Sequence, residues 1–362
     1  MGYSARFGKG RPTKDWRAPA RTRPGRCPGP PFLFKKKGRS GGGSPGLEPK
    51  RIACQSNLMS DFLFYRGEGL DRAAEVRRGV DPVTLLQMAE TLVVPFWRGL
   101  HLVESASGRA VRVPAPLLAG FEAPNVMLGR ENGRAVIALD LSALPGQEDV
   151  GPPLPGVEAG IWRGLRAAAP LLPAVDATLL TYARALLLWR SRTRFCPVCG
   201  ARLRFEEAGH VGRCEDPACA TPQFPRTDSA VIVLVTDPAD RALLGRQRQW
   251  PPGQFSCLAG FVEPGETLEE TVAREVWEEA GIRVMAPRYV ASQPWPFPAS
   301  LMVGFTATAP ADEPRPDQEE LEAAHWFSRA DLQEGLHQGR LRLPAPDSIA
   351  YRLITAWLKA PD

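Results

Sequence analysis

No apolar run in this 362-residue chain reaches the roughly 18–20 residues that a membrane-crossing helix requires, so no membrane partner is expected. No internal repeat is present that would indicate stacked units. Acidic residues are scarce in one region only. Residues 1–58 hold fourteen Lys plus Arg against Asp15 and Glu48, a net of +12, whereas the whole chain carries +5. The remainder is therefore near −7, and the basic character belongs to a Gly-, Pro- and Arg-rich leader. That weakens the case for a nucleic-acid groove on the folded body, although a cationic tail itself suits RNA. The leader is too poor in aliphatics to build a core, and its dense Gly and Pro oppose an amphipathic targeting helix. Met59-Ser60-Asp61-Phe62 is a more natural beginning. Residues before Met59 are expected to be disordered or outside the native product.

Cysteine is sparse too, yet four of the seven are clustered. Cys196-Pro197-Val198-Cys199 is followed after fourteen residues by Cys214 and Cys219, a Cys-x2-Cys…Cys-x4-Cys spacing. Two such knuckles suit tetrahedral Zn²⁺ held by four thiolates, with Gly200 and Gly209 allowing tight turns. Four protein ligands leave no place for water, so this zinc would be structural. A pair of disulfides is the competing interpretation; nothing here looks secreted, and the pair spacing favours metal. Free thiols beside such a site point to a reducing, cytoplasmic compartment.

The densest chemistry lies between Gly260 and Ile282. Glu263-Pro264-Gly265 is a turn signal, Thr267 with Glu270 has capping-box spacing, and Gly281 supplies a helix stop. Within that helix Glu275, Glu278 and Glu279 stand at i, i+3 and i+4, predicting three carboxylates on one face. On an arbitrary helix such a trio would be a solvated acidic surface. Carboxylates this close repel, and a hard divalent cation, Mg²⁺ or Mn²⁺, removes the penalty. Such a cation would screen a phosphate substrate and lower the pKa of an attacking water, with a glutamate of the cluster as base.

The full spacing, Gly260-x5-Glu266-x7-Arg274-Glu275-Val276-x-Glu278-Glu279-x-Gly281-Ile282, resembles the Nudix box of Nudix hydrolases. The resemblance implies that Glu275 and Glu279 are the primary ligands, that Glu278 assists, and that Arg274 and Glu266 pair to orient the helix. It also implies metal contacts at Ala259 and Glu320. Glu320 stands six residues before Trp326, as in the family, but the acid often found three before that tryptophan is replaced by Ala323. A solvated acidic turn is the alternative for that stretch.

Downstream, Ser292-Gln293-Pro294-Trp295-Pro296-Phe297-Pro298-Ala299-Ser300 alternates proline with large aromatics. Proline stiffens the loop, so Trp295 and Phe297 are expected to be held in a set orientation rather than to collapse into the nearest core. A packed turn or a proline-rich linker is the bland alternative. The stretch is similar to the signature of the NADH pyrophosphatase branch of the Nudix family, which also carries a zinc ribbon where Cys196 to Cys219 stand here. One detail departs, the Cys-x4-Cys second knuckle where many members have Cys-x2-Cys. The resemblance implies that residues Gln293, Pro294, Trp295, Pro296, Phe297, Pro298, Ala299 and Ser300 contact a dinucleotide, joined by Phe224, Phe261 and Ala350. It further implies hydrolysis of NADH or NAD⁺ to nicotinamide mononucleotide and AMP, a homodimer, and removal of NAD caps from RNA. A general ADP-ribose or dinucleotide pyrophosphatase is the second enzyme candidate. A nucleic-acid-binding module with a degenerate hydrolase domain is a third, which the intact glutamates oppose.

The expected fold class is α+β: a Nudix α/β/α sandwich preceded by a zinc ribbon and an N-terminal mixed α/β domain. The expected divisions are a leader at 1–58, an N-terminal domain at 59–175, a linking helix at 176–193, the ribbon at 194–224 and the hydrolase domain at 225–362. Runs at 92–97, 111–118 and 135–140 are strand-like. Asp176 to Trp189 is predicted to be a helix capped by Asp176. Residues 230–235 and 301–309 are predicted strands, and 348–359 the last helix. Cys257 is expected to be a buried hydrophobe and His325 structural.

Overall fold

The computed structural model describes Tyr65 and residues 70–147, 150–158 and 160–360; the leader expected at 1–58 lies outside the described residues. The first module is a six-stranded sheet. It contains β1 (Leu92–Trp97), β2 (Leu100–Glu104), β3 (Val113–Pro114), β4 (Asn125–Glu131), β5 (Arg134–Asp140) and β6 (Gly160–Gly164), in the order β4-β5-β1-β2-β6 with β3 beside β1. Only the β1–β5 pair is parallel. Every residue of β1 is buried, because both faces of the sheet are covered. Val94 and Phe96 point into one core with α1 (Ala174–Arg192), whereas Val93 and Trp97 point into a second. That is the period-2 alternation of a strand between two layers.

Helix α1 begins two residues earlier than expected, and Pro173, not Asp176, stands at its cap position. Asp176 is instead buried in the first turn. Its carboxylate accepts from the Ala110 amide at 3.0 Å and from Arg112 Nη2 at 2.6 Å, and Arg112 also pairs with Glu131 at 2.6 Å. A buried acid needs such partners, and a negative charge at a helix start is favoured by the dipole.

The ribbon follows as a three-stranded sheet of β7 (Leu203–Glu206), β8 (Val211–Cys214) and β9 (Pro222–Gln223). The last module is built on β10 (Asp228–Thr236), with β11 (Ala242–Arg246), β12 (Leu258–Phe261), β13 (Met285–Trp295), β14 (Ser300–Thr308) and β15 (Ala323–Phe327). The order is β13-β14-β10-β11-β15, with β12 pairing β10 and only β10–β14 parallel. Val231, Val233 and Val235 pack on α2 (Leu268–Ala280); Ile232 and Leu234 face α4 (Ile349–Lys359), with α3 (Arg329–His337) beside it. Alternate residues of one apolar strand thus serve two helical layers, which makes the sandwich. Ser348 caps α4, accepting from the Tyr351 amide.

His101 sits wholly buried on β2, its ring 5.3 Å from Phe96, and neither ring nitrogen has a hydrogen-bond partner. Burial, helped by the charge of Arg184, pushes its pKa down from 6.5 to about 3. The unfolded chain therefore takes up this proton first as pH falls, and stability present above about pH 6.5 is lost on the way to pH 3. Replacing His101→Leu should flatten the decline of the thermal midpoint between pH 6.5 and 4. An unchanged slope in scanning calorimetry would contradict this.

Candidate active site

Helix α2 is placed by its apolar stripe. Val272, Val276 and Ala280, at i, i+4 and i+8, are buried against β10 and β14. Thr267 accepts from the Glu270 amide at 3.2 Å while Glu270 accepts from the Thr267 amide at 2.8 Å, closing the capping box. Gly281 ends the helix at φ +65°, the left-handed conformation that glycine adopts without strain.

The stripe orients the acids, and the structure divides the trio that the sequence put on one face. Glu275 and Glu279 are buried, whereas the Glu278 side chain is 56% exposed and accepts from Arg274 Nη1 at 2.8 Å. Arg274 is the hub. Its Nε lies 2.6 Å from Glu266 Oε1, Nη2 donates to the Phe261 carbonyl at 2.8 Å, and Nη1 is 3.0 Å from Glu275. The Arg274 hydrogen bond, with the Glu263 amide, holds the Glu266 carboxyl down to about 2. The loop between β12 and α2 is thereby fastened to the helix.

Behind this clamp Glu279 lacks compensation. Burial, then the charges of Glu275 and Glu320, pushes the Glu279 carboxyl up to about 8, and Glu279 Oε2 is buried without a partner. Burial raises Glu275 as well, against the pull of Arg274. Glu275 lies so close to β12 that a Cβ on Gly260 would fall 1.8 Å from its carboxyl carbon. Glu320 is exposed on the loop before β15, its amide donating to Asp317, and its charge acts on both buried acids. Ala259 is tied to Glu279 by a backbone hydrogen bond. An orphaned oxygen on Glu279, beside a second carboxyl whose pKa burial also raises, is a donor set that a hard divalent cation satisfies.

Among the described residues, the four ribbon cysteines are the one group of three or more His, Cys, Asp or Glu side chains whose ligand atoms all lie within 4.8 Å of one another. Cys196 and Cys219 are 3.8 Å apart at sulfur, Cys199 and Cys214 3.3 Å. Tetrahedral Zn–S bonds of about 2.3 Å place sulfurs about 3.8 Å apart, so the thiols fit zinc. The longer second knuckle is absorbed by a turn in which Asp216 accepts from the amides of Ala218, Cys219 and Ala220.

On the α4 side of the sheet lies a cavity of about 380 Å³ lined by Arg166, Ile232, Trp250, Trp295, Met302 and Ala350. Ile232 is the register partner of Ala259, so this cavity adjoins the strand that leads to the acids. Trp295 and Phe297 do not stand free as expected. Both are partly buried against the N-terminal core, each 6.4 Å from Tyr65, with the Arg166 guanidinium 5.5 Å and 4.4 Å from their rings. Arg184 donates to the Pro296 carbonyl at 3.0 Å. Two large aromatics bury more apolar area by docking there than solvent exposure allows, and cation–π contact adds to it. Gln293 has no exposed surface; its amide donates to the Asp347 carbonyl and accepts from the Ile349 amide, tying β13 to the start of α4. In this conformation Gln293 positions Ala350 and offers a ligand no face. Ser300 is buried as well, and the Ala299 carbonyl accepts from Asp228. Phe224 and Phe261 are exposed, at 64% and 59%, outside that cavity. Cys257 is buried, and His325 packs its ring against Phe255 and Phe327. Arg166, Tyr65 and Trp250 carry no local sequence signal, since they reach the site from distant segments.

Family profiles match in three consecutive pieces: the NADH pyrophosphatase-like rudimentary NUDIX domain at residues 90–189, the NADH pyrophosphatase zinc ribbon domain at 191–224 and the NUDIX domain at 226–347. The chain is 41% identical over 206 residues to the NAD-capped RNA hydrolase NUDT12 of Homo sapiens, covering 52% of this chain and 45% of that one. It thus spans about half the length of that relative. It is 39% identical over 300 residues to the NAD-capped RNA hydrolase NudC of Mycobacterium bovis, covering 80% of this chain and 92% of that one.

Two outcomes follow from this geometry. Gly260→Ala should push the Glu275 carboxyl off β12 and weaken Mn²⁺ binding at least about tenfold with the fold kept; equal affinity by calorimetry would exclude the close approach as a requirement. Cys199→Ser should release zinc, seen by metal analysis, and lower the thermal midpoint. Full zinc retention with unchanged melting would refute a structural four-thiolate site.

Proposed function

As the chain belongs to the NADH pyrophosphatase branch of the Nudix hydrolase family, we propose that it hydrolyses the pyrophosphate of NADH or NAD⁺ to nicotinamide mononucleotide and AMP. The same bond occurs in NAD-capped RNA, and cap removal is part of the proposal, supported by the likeness to two NAD-capped RNA hydrolases. The observation that carries it is the buried Glu275–Glu279 pair behind the Arg274 clamp, with one Glu279 oxygen left unpartnered, next to a cavity large enough for a mononucleotide half.

Glu275 and Glu279, with Glu278, Glu320 and the backbone of Ala259, would hold Mg²⁺ or Mn²⁺. That cation, when bound, neutralises phosphate oxygens and lowers the pKa of water. The chain's own residues do the rest. Arg274 keeps the glutamates aligned through Glu266, and a cluster glutamate takes the proton of the water that attacks phosphorus. The bridging P–O bond breaks, and each mononucleotide leaves with one phosphate. Trp295 and Trp250 supply aromatic walls, with Arg166 near the anionic groups. In this proposal the ribbon begins at residue 194 and the hydrolase domain at 225, and the protein is a cytoplasmic homodimer. Edge strand β13, with Met285 and Tyr289 exposed, is available for pairing, and the described cysteines are all free thiols. No helix among the described residues is long and apolar enough to cross a membrane.

Glu275→Gln should lower kcat on NADH by at least about a hundredfold with unchanged melting, because the ligand charge is lost. Turnover of NADH, NAD-capped RNA, ADP-ribose and diadenosine substrates with Mg²⁺ or Mn²⁺, and with a chelator control, tests the assignment. A preference for ADP-ribose would remove the NAD(H) specificity, and full activity in chelator would remove the metal chemistry.

A further inference from the structure

Strand β11 ends at Arg246, whose side chain is only 13% exposed although the strand opens into a loop there. Its guanidinium is shared between two segments. Nε lies 2.6 Å from Glu322 Oε1, while Nη2 donates to the Trp250 carbonyl at 3.0 Å and Nη1 to the Pro251 carbonyl. One rigid fork thus grips a carboxylate on one side and two carbonyls on the other, a geometry that the point charge of a lysine does not reproduce. Arg248 also lies 3.8 Å from Glu322, but its side chain is 77% exposed and water screens it.

Each partner belongs to a different part of the active site. Gly245 and Ser256 exchange both backbone hydrogen bonds at 2.9 Å, which closes residues 246–255 into a loop carrying Trp250; Trp250 and Ser256 line the cavity beside Ala350. On the other side, the Glu322 amide donates to the Arg246 carbonyl at 3.0 Å. Glu322 stands two positions after Glu320, the exposed acid whose charge acts on Glu275 and Glu279. Between them Leu321 is buried so tightly on β11 that a Cβ on Gly245 would fall 2.7 Å from its Cδ1. The Glu320 carboxylate therefore takes its place from Asp317 before it and from Leu321 and Glu322 after it.

We propose that Arg246 is a positioning residue, a brace that holds the Trp250 wall of the cavity and the Glu320 carboxylate at the metal site in fixed relation. Arg246 does not itself line the cavity; it acts through Trp250 on one arm and through Glu322 on the other. The wall governs how a base is held and hence KM, whereas the acid governs the cation and hence kcat, so the two arms have separate signatures. Only the kinetic arm rests on the proposed hydrolysis, because cation affinity is measured without substrate.

The full-length protein is compared as wild type, Arg246→Met, Arg246→Lys and Glu322→Gln, each alone and with Glu320→Gln, with melting temperature as fold control. Mn²⁺ is titrated by calorimetry, and kcat and KM are measured on NADH. Arg246→Met should weaken Mn²⁺ binding at least about tenfold and lower kcat to match, with KM raised about three- to tenfold. Arg246→Lys keeps a charge beside Glu322 and drops the carbonyls, so Mn²⁺ affinity and kcat should recover to within about threefold of wild type while KM stays raised. Glu322→Gln should do the reverse, and it serves if Arg246→Met fails to fold. In the Glu320→Gln background, Arg246→Met should cost no further Mn²⁺ affinity, because the brace acts through Glu320. A residue that only stabilised the fold would lower the melting temperature and leave the Mn²⁺ affinity of the folded protein unchanged. That result, or losses that multiply in the double variant, overturns the proposal. If the wild type turns over no NADH, the functional reading fails, and the Mn²⁺ titrations still decide the brace.

Discussion

The structure turns on the confinement of two carboxyls, Glu275 and Glu279, in a place where neither is comfortable as an anion. The valine stripe of α2 fixes the helix on the sheet, and Gly260 lets the strand come within reach of Glu275. Arg274 spreads one positive charge over Glu266, Glu275 and Glu278. Glu279 is left beyond that charge, buried, with an unpartnered oxygen. Packing on the apolar side of the helix thus sustains an electrostatic deficit on the other, the deficit that a cation in the proposed metal site would offset.

The N-terminal module contributes no catalytic pattern of its own, yet it shapes the pocket. Arg184 holds the Pro296 carbonyl, while Arg166 and Tyr65 meet Trp295 and Phe297. Tyr65 also donates to Asp347, just before α4 and Ala350. The proline-aromatic loop is therefore a joint between modules as well as a wall of the cavity. Its prolines restrict the backbone, but the orientation of its rings is decided by what they pack on.

The ribbon solves a different problem. Its buried apolar cluster consists of Leu203 and two of the cysteines themselves, Cys196 and Cys214. So small a core cannot hold three short strands together, and four thiolates on zinc supply the missing cohesion. Arg190, reaching from α1 over the Phe205 ring, attaches the ribbon to the helix behind it.

Spacing along the chain was enough to locate the box, the paired ribbon cysteines and strands β10 and β14, because each depends on short-range periodicity: 3.6 for the helix, 2 for Val231 to Val235, two and four residues between the paired cysteines; it missed that Ser292–Trp295, expected in a loop, ends strand β13. The capping box at Thr267 and the stop at Gly281 were legible for the same reason. What spacing could not reveal is how burial is shared among similar residues. Glu278 and Glu279 are adjacent, but only the fold turns one to solvent and Arg274 and seals the other; Asp176 has the chemistry of a cap, but Arg112, sixty-four positions away, draws it into the interior. The docking of Trp295 on Tyr65 and the grip of Arg246 on Glu322 likewise join segments far apart in sequence. Desolvation and Coulomb terms depend on three-dimensional distance, and that distance exists only once the modules have packed.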